Sequence, residues 1–210
     1  MLDRIEWLGH GSFAIHTTPR IYINPRRVPR TDQHADLILL SHEHYDHFSP
    51  ADVQKLRCEK TIVIGNDRIA RELPDCTVLR PWQTMSFGRV CVKAVPAYSI
   101  TDRSHARDNG GLGFVISVNY YDIYYAGDTE RIPEMDQIRP DIALLPIDGR
   151  GTLTVSEAAQ VARMMRPKWV MPFNYGASVS GATRLDAQRF VREVGEAAQA
   201  LLPDAALAGR

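Results

Sequence analysis

The sequence predicts an α/β protein with layered sheets, and three observations support this prediction. Short runs rich in Val, Ile and Tyr, bounded by Gly, Pro, Asn or Asp, dominate the first two thirds of the chain. Segments with helix start signals lie between and after these runs, and several runs end in polar loops. The 210 residues suit one large domain or two small ones at most, and we expect a single domain over residues 1–210.

The predicted strands are short, as is usual for globular proteins. In chain order they cover residues 5–8, 12–17, 20–23, 37–40, 61–64, 77–79, 90–95, 113–119, 123–126, 142–145 and 169–171. The runs 113–119 and 123–126 are close enough along the chain to predict a β-hairpin.

Four helices are predicted, and most carry a recognisable start. Ser49 precedes Pro50, which is typical of a helix N-terminus, and a short helix is expected over 67–73. A capping-box pattern at 154–157 predicts a helix to about Arg166. A last amphipathic helix is predicted from Thr183 to about residue 202, before Pro203, and residues 204–210 are expected to be frayed.

The composition excludes several classes of function. The chain has 25 Lys and Arg against 25 Asp and Glu, and this neutral balance argues against a broad nucleic-acid-binding surface. It has no apolar run of about 18 residues, so no membrane span is expected. The charged N-terminus lacks the apolar stretch of a signal peptide, and three cysteines without C-x-x-C spacing fit a reducing compartment. We therefore expect a cytoplasmic protein that acts on a small molecule.

The most informative segment is His42-x-His44-x-Asp46-His47, which directly follows an apolar strand. Side chains two apart point the same way in an extended chain, so His42 and His44 can share one metal ion. A turn at Tyr45 then presents Asp46 and His47 toward a second ion. Solvated histidines in a polar turn are the alternative, but imidazoles this close repel one another once protonated. Chance predicts roughly 0.0006 such motifs in a chain of this composition.

A second strand, 124–126, ends in Gly127 and Asp128. Glycine permits close approach of the backbone, and the carboxylate stands where it can bridge two ions. Read alone, a Gly-Asp pair after a strand is usually a simple turn. Imidazole and carboxylate donors together suit Zn, Fe, Mn or Ni better than Ca or Mg.

These motifs resemble those of the metallo-β-lactamase-fold hydrolases. The resemblance covers residues 4–176. It is strongest to one branch of these hydrolases, which is similar to the group of ascorbate-6-phosphate lactonase and N-acyl-phosphatidylethanolamine phospholipase D. Besides the histidine motif, five segments carry it, namely residues 7–13, 94–98, 125–129, 141–146 and 171–176. The resemblance implies a four-layered αββα sandwich, the metallo-β-lactamase fold.

The resemblance also implies a first metal site made of His42, His44 and a third histidine, with Asp128 bridging. In many members the third histidine directly follows the Pro-Ala-aromatic segment, where this chain has Ser99. We assign the role to His105, in the loop 99–111, with a solvated loop histidine as the alternative.

The implied second site consists of Asp46, His47, Asp128 and a final histidine, which is Asn174 here. An amide oxygen is a weaker donor, so this site should bind its ion less tightly or prefer Mn or Mg. Asn24 stands where relatives usually carry an Asp that orients metal ligands. His10 lies in a loop that the family places near the metals, as a support for ligands, a substrate contact or a structural histidine.

The expected function is metal-dependent hydrolysis with one or two divalent ions, Zn, Mn or Fe. Asp46 would orient the attacking water and accept its proton, and the substrate would be a small ester, lactone, amide or phosphodiester. The alternative is a catalytically degenerate binding or regulatory module, weakened by Asn24 and Asn174. A nuclease or a flavodiiron-like oxidoreductase would need further domains. Relatives often form dimers or rings, which leaves a homo-oligomer open.

Overall fold

The computed structural model describes residues 1–29, 33–176 and 181–202. The predicted frayed tail, 204–210, lies outside the described residues. Four α-helices are found in the described part of the chain: α1 (Pro50–Leu56), α2 (Asp67–Glu72), α3 (Val155–Met165) and α4 (Arg184–Val194). The strands, in chain order, are β1 (Ile5–Gly9), β2 (Ser12–Ile15), β3 (Ile21–Ile23), β4 (Leu37–Leu39), β5 (Ile62–Gly65), β6 (Thr77–Val78), β7 (Thr84–Phe87), β8 (Val90–Pro96), β9 (Leu112–Val118), β10 (Tyr121–Tyr125), β11 (Ile142–Pro146), β12 (Trp169–Phe173) and β13 (Gln199–Ala200).

The strands form two mixed sheets. The first sheet has the order β1-β2-β3-β4-β5-β6, antiparallel up to β3 and parallel from there on. The second has the order β13-β12-β11-β10-β9-β8-β7, antiparallel from β7 to β10 and parallel from β10 to β13. Parallel strands need crossover connections, and α1 and α3 lie in two of them.

The alternation of side chains along the strands divides the core into layers. In the first sheet one face joins the large core shared with the second sheet, through residues that include Phe13, Ile15, Ile21, Ile23, Leu37 and Leu39. The other face packs with α1 and α2, through residues that include Ala14, Tyr22, Ile38, Val53, Leu56 and Ile69. Buried residues of α3 and α4, such as Ala158, Ala162 and Phe190, join the large core from its other side. The predicted four-layered αββα arrangement is confirmed.

The helix starts follow the signals in the sequence. Ser49 caps α1 by accepting from the backbone N–H of Asp52 at 3.3 Å. Thr154 and Glu157 form a reciprocal capping box at the start of α3, and Thr183 and Asp186 form one at the start of α4. These caps satisfy backbone donors that the first helical turn leaves free.

The prediction for the last helix is wrong at its C-terminus. Helix α4 ends at Val194, because Gly195 has a φ of +60° and a ψ of −135°, which no helical residue adopts. Gln199 then pairs with Trp169, so β13 adds a parallel strand at the edge of the second sheet. Leu185, an apolar residue in the first turn of α4, is 74% exposed.

The strand predictions agree with the structure apart from two omissions and small shifts at the ends. The hairpin of β9 and β10 is present, with a tighter turn at Asn119 and Tyr120 than expected. Strand β7 escaped prediction because its pattern, Thr84-Met85-Ser86-Phe87, is half polar and partly exposed at a sheet edge. Strand β13 was missed because its residues continue the amphipathic pattern of the predicted last helix.

The ends of several strands converge at one edge of the sandwich. Strand β4 leads into His42, β8 into the loop that carries His105, β10 into Asp128 and β12 into Asn174. The two sheets are joined at this edge by a hydrogen bond from the Leu112 backbone N–H to the Ser41 carbonyl, at 2.9 Å. Polar side chains from distant parts of the chain thus meet between the two sheets.

Within the described residues, no helix combines the length and the apolar character that crossing a membrane requires.

Candidate metal centre

The segment that carries His42 to His47 leaves β4 as an extended chain and then turns. The backbone N–H groups of His47 and Phe48 both donate to the His44 carbonyl at 2.8 Å, so the turn closes around this residue. The turn brings His47 back to His42, with 4.5 Å between their ring centroids. His42 is 5% exposed and His47 is fully buried.

Three imidazoles form the first cluster, which consists of His42, His44 and His105. Their ring centroids lie 4.7, 4.8 and 5.3 Å apart, and their ligand atoms lie within 4.8 Å of one another. The loop returns on itself so that the Ser99 backbone N–H donates to the His105 carbonyl at 2.7 Å. His105 is thereby held beside Ser99, the position at which the resemblance places the third histidine.

Asp128 lies between this cluster and His47. Its Oδ2 is 3.8 Å from His42 Nε2 and 3.5 Å from His105 Nε2, and its Oδ1 is 3.2 Å from His47 Nε2. Gly127 positions it with a φ of +70°, and a side chain here would come within 2.6 Å of the Leu112 carbonyl. Asp128 thus contacts histidines of both predicted sites, while its bridging of two ions stays a prediction.

Asp46 and His47 lie on the other side of Asp128, with His10 beside them. His10 Nε2 is 3.1 Å from Asp46 Oδ2, and His47 Nδ1 is 3.5 Å from Asp46 Oδ1. The structure therefore places His10 in direct contact with Asp46, a contact that the sequence alone does not indicate.

The donor atoms of this site fit a divalent metal. Four imidazole nitrogens are buried without a hydrogen-bond partner, namely His42 Nε2, His47 Nδ1, His47 Nε2 and His105 Nε2. Buried polar atoms are normally paired, so unpaired nitrogens that converge on a carboxylate fit a bound cation. Imidazole and carboxylate donors are those that Zn, Mn and Fe accept.

The pKa values of most of these donors leave them in the deprotonated form that binds a cation. Burial and the charge of His47 hold the pKa of His42 well below its usual value, and burial also lowers the pKa of His105. Burial alone would raise the pKa of Asp46 and of Asp128. The neighbouring histidines outweigh it and lower both, so both carboxylates are ionised at neutral pH.

His47 is the exception. Burial lowers its pKa, but the carboxylates of Asp128 and Asp46 outweigh burial and raise the pKa to about 10. Without a metal, this imidazole therefore holds a proton between two negative charges. A divalent cation at the same place would replace that proton, since metal ligands must be deprotonated.

A buried network behind His42 orients its ring. Ser41 Oγ lies 2.9 Å from His42 Nδ1, which leaves Nε2 facing Asp128. Asn24 donates to Ser41 Oγ at 2.8 Å and to Tyr125 Oη at 2.9 Å, and accepts from the Ser41 backbone N–H at 2.8 Å. Such contacts fix the tautomer and direction of a metal-binding imidazole. Sequence reasoning found Asn24 but missed Ser41, which follows β4, and Tyr125, the last residue of β10.

Asn174 is fully buried and contacts Asp128. Its Nδ2 donates to Asp128 Oδ1 at 2.9 Å, and its backbone N–H donates to the His10 carbonyl at 3.4 Å. Its Oδ1 is buried without a hydrogen-bond partner. The structure thus brings Asn174 to the expected place, while its role as a metal ligand stays a prediction.

A surface relay ties the two loops that supply the first cluster. Arg68 of α2 donates to Glu43 Oε1 at 2.7 Å and to Asn109 Oδ1 at 2.6 Å. Asn109 in turn donates to the carbonyl of Ser104, next to His105. Sequence reasoning missed this relay because Glu43 occupies an unassigned position inside the motif and its partners are remote in sequence.

The chain is similar to known proteins over most of its length. A family model described as the Beta-lactamase superfamily domain matches residues 4–174. A UPF0173 metal-dependent hydrolase of Methanoregula boonei is 33% identical over 187 residues, 81% of each chain. One of Thermococcus kodakarensis is 30% identical over 216 residues, 95% of each chain.

A solved structure is also similar to this chain. The crystal structure of a candidate metal-dependent hydrolase from Parabacteroides distasonis is similar with a TM-score of 0.84 and 31% identity. The match covers 95% of this chain and 91% of that one. The chain thus belongs to the family described as the Beta-lactamase superfamily domain. Its relatives include proteins named UPF0173 metal-dependent hydrolases.

Proposed function

We propose that this protein is a metal-dependent hydrolase that cleaves a small ester, lactone, amide or phosphodiester with a metal-activated water. The observation that carries the proposal is the set of buried, unpartnered imidazole nitrogens around the Asp128 carboxylate. The names of the relatives support the same reaction class.

The first ion would be held by His42, His44, His105 and Asp128. Asp46 and His47, with Asp128 shared, would offer donors to a second ion, which the resemblance extends to Asn174. Zn, Mn and Fe all suit these donors. When bound, the cation polarises the scissile bond and lowers the pKa of water toward neutrality.

The chain's own residues supply the proton chemistry. Asp46 is ionised and only partly buried, so it can orient the attacking water and accept its proton. His10 holds the Asp46 carboxylate from behind, through Nε2 to Oδ2 at 3.1 Å. Glu43, Ser104 and Asn109 line the same cleft as His44 and His105 and are placed to contact substrate.

The two departures from the family pattern do not favour a degenerate module. Asn24 makes three hydrogen bonds in the network behind His42, and Asn174 donates to Asp128. In a catalytically degenerate module, the side chains of Asn24 and Asn174 would not need to keep these hydrogen bonds. Here both amides are integrated into the site, which supports retained catalysis.

The test is hydrolysis by protein stripped with a chelator and reloaded with Zn²⁺, Mn²⁺ or Fe²⁺. A panel of a lactone, a carboxylic ester, an amide and an aryl phosphodiester covers the proposed substrates. We expect His42→Ala and Asp128→Asn to lower kcat/KM on any substrate that is cleaved by about 10³-fold, since Lewis-acid stabilisation contributes several kcal/mol.

The matched control is His34→Ala, since His34 is exposed and belongs to none of the donor groups among the described residues. It should retain full activity. Full activity in stripped protein, or in His42→Ala, would contradict the proposal.

A further inference from the structure

A second group of metal donors lies beside the first cluster and includes a residue that the family pattern does not assign. It consists of His10, Asp46 and His47, whose ligand atoms all lie within 4.8 Å of one another. His10 Nε2 is 3.1 Å from Asp46 Oδ2, and the rings of His10 and His47 are 4.9 Å apart. Donors bound to one ion at about 2.1 Å lie roughly 3–4 Å apart, so small side-chain shifts bring these three together.

His47 gives an independent indication that a cation belongs here. Its ring is fully buried, and neither of its nitrogens has a hydrogen-bond partner. Nδ1 faces Asp46 Oδ1 at 3.5 Å, and Nε2 faces Asp128 Oδ1 at 3.2 Å. The two nitrogens thus approach different carboxylates, so the Asp46 side offers a position separate from the first cluster.

Asn174 does not supply an imidazole at this position. Its Nδ2 donates to Asp128 Oδ1 at 2.9 Å, and its Oδ1, the one amide atom that can bind a metal, is a weaker donor than an imidazole nitrogen. In this arrangement Asn174 holds Asp128 in place, and the second site has one imidazole fewer than the family pattern.

The backbone of His10 is held firmly in an uncommon conformation. Its φ is +49°, and its carbonyl accepts from Trp7 Nε1 at 2.7 Å and from the Asn174 backbone N–H at 3.4 Å. A left-handed conformation costs an L-residue about 1 kcal/mol or more, so it persists only where the surroundings determine it. These contacts couple position 10 directly to position 174.

We propose that His10 is a ligand of the second metal ion, together with Asp46 and His47. It takes the place of the imidazole that Asn174 lacks, and Asn174 positions Asp128. This inference rests on the proposed function, because it assumes that the first cluster binds a metal.

The experiment is a titration of metal-stripped protein with Co²⁺, with bound metal counted per chain and followed by visible absorption. We expect two ions per chain in the unaltered protein. His10→Ala and His10→Asn should bind the first ion unchanged and the second at least about 100-fold more weakly, since loss of even an outer-shell contact costs 10–100-fold. Retention of the first ion shows that the variants are folded.

His10→Asn removes the imidazole at a positive φ that asparagine tolerates. His10→Gln separates a ligand from a simple hydrogen-bond donor, because glutamine reaches as far as Nε2 and keeps an N–H for Asp46 but lacks the imidazole. It should weaken binding of the second ion as well. The matched control is His16→Ala, since His16 pairs with Glu6 away from the site and its variant should bind two ions.

Two ions bound with unchanged affinity by His10→Asn or His10→Ala would overturn the inference. A single ion in the unaltered protein would also overturn it, while metal-dependent hydrolysis at the first cluster would stand. No bound metal at all would overturn the proposed function as well.

Discussion

At the scale of single residues, the site depends on side chains whose protonation and direction are set by a few neighbours. His42 is kept neutral by burial and directed by Ser41, while Asp128 is kept ionised by the histidines around it. The sequence predicted the motif residues because two-residue spacing in an extended chain has a direct geometric consequence. Ser41 and Tyr125 could not be predicted, since their roles arise only where β4 and β10 meet across the two sheets.

The Asn24 network gives a prediction at this scale. Asn24→Asp replaces an amide donor by a carboxylate, so the Ser41 hydroxyl must donate to position 24 and accept from His42 Nδ1. This should raise the basicity of Nε2 and tighten first-site Zn²⁺ binding by about tenfold. It should also lower the free energy of unfolding of the metal-free protein by about 1–3 kcal/mol, because the buried network loses donors.

Competition with a chromophoric chelator measures the first change and chemical denaturation the second. Asn119→Asp is the matched control, since Asn119 has a similar φ of +50° in the exposed β9–β10 turn. Weaker or equal Zn²⁺ binding by Asn24→Asp would show that the network does not act on His42 in this way.

At the scale of elements, most strands and helix starts were predictable because their signals are local. Capping boxes at Thr154 and Thr183 fix the starts of α3 and α4. The end of α4 was not predictable, because the amphipathic pattern of the sequence continues past Gly195. Strand β13 forms only by pairing with β12, which no local pattern indicates. His105 was predicted from the resemblance, but the return of its loop to Ser99 depends on hydrogen bonds that no local pattern reveals.

The Arg68 relay gives a prediction at the element scale. Arg68→Met removes the link from α2 to Glu43 and Asn109, so the loop that carries His105 should become less ordered. We expect first-site Zn²⁺ affinity to fall about tenfold. The free energy of unfolding should change by no more than about 1 kcal/mol, since the Arg68 side chain is 40% exposed.

The measurements are chelator competition for affinity and hydrogen exchange for the loop 99–111. Arg80→Met is the control, because Arg80 pairs with Asp67 on the same helix at 2.9 Å and lies largely in solvent. Equal affinity and equal loop protection in the two variants would contradict a positioning role for Arg68.

At the scale of the whole molecule, two sheets pack together and bring the ends of β4, β8, β10 and β12 to one edge. Strand patterns predicted layered sheets, and the resemblance supplied the number of layers. The resemblance placed Asn174 with Asp128 and His10 near the metals. The hydrogen bonds that His10 makes with Asp46 and Asn174 with Asp128 could not be predicted, because both join segments far apart in sequence. The fold determines where donors gather, while the individual contacts determine which donors can bind an ion.

The central claim is that the described cluster holds a catalytic metal, and anomalous diffraction from crystals of Zn²⁺-loaded protein tests it most directly. We predict an anomalous peak at about 2.0–2.2 Å from His42, His44, His105 and Asp128. A peak elsewhere, with these four side chains unliganded at saturating Zn²⁺, would contradict the account.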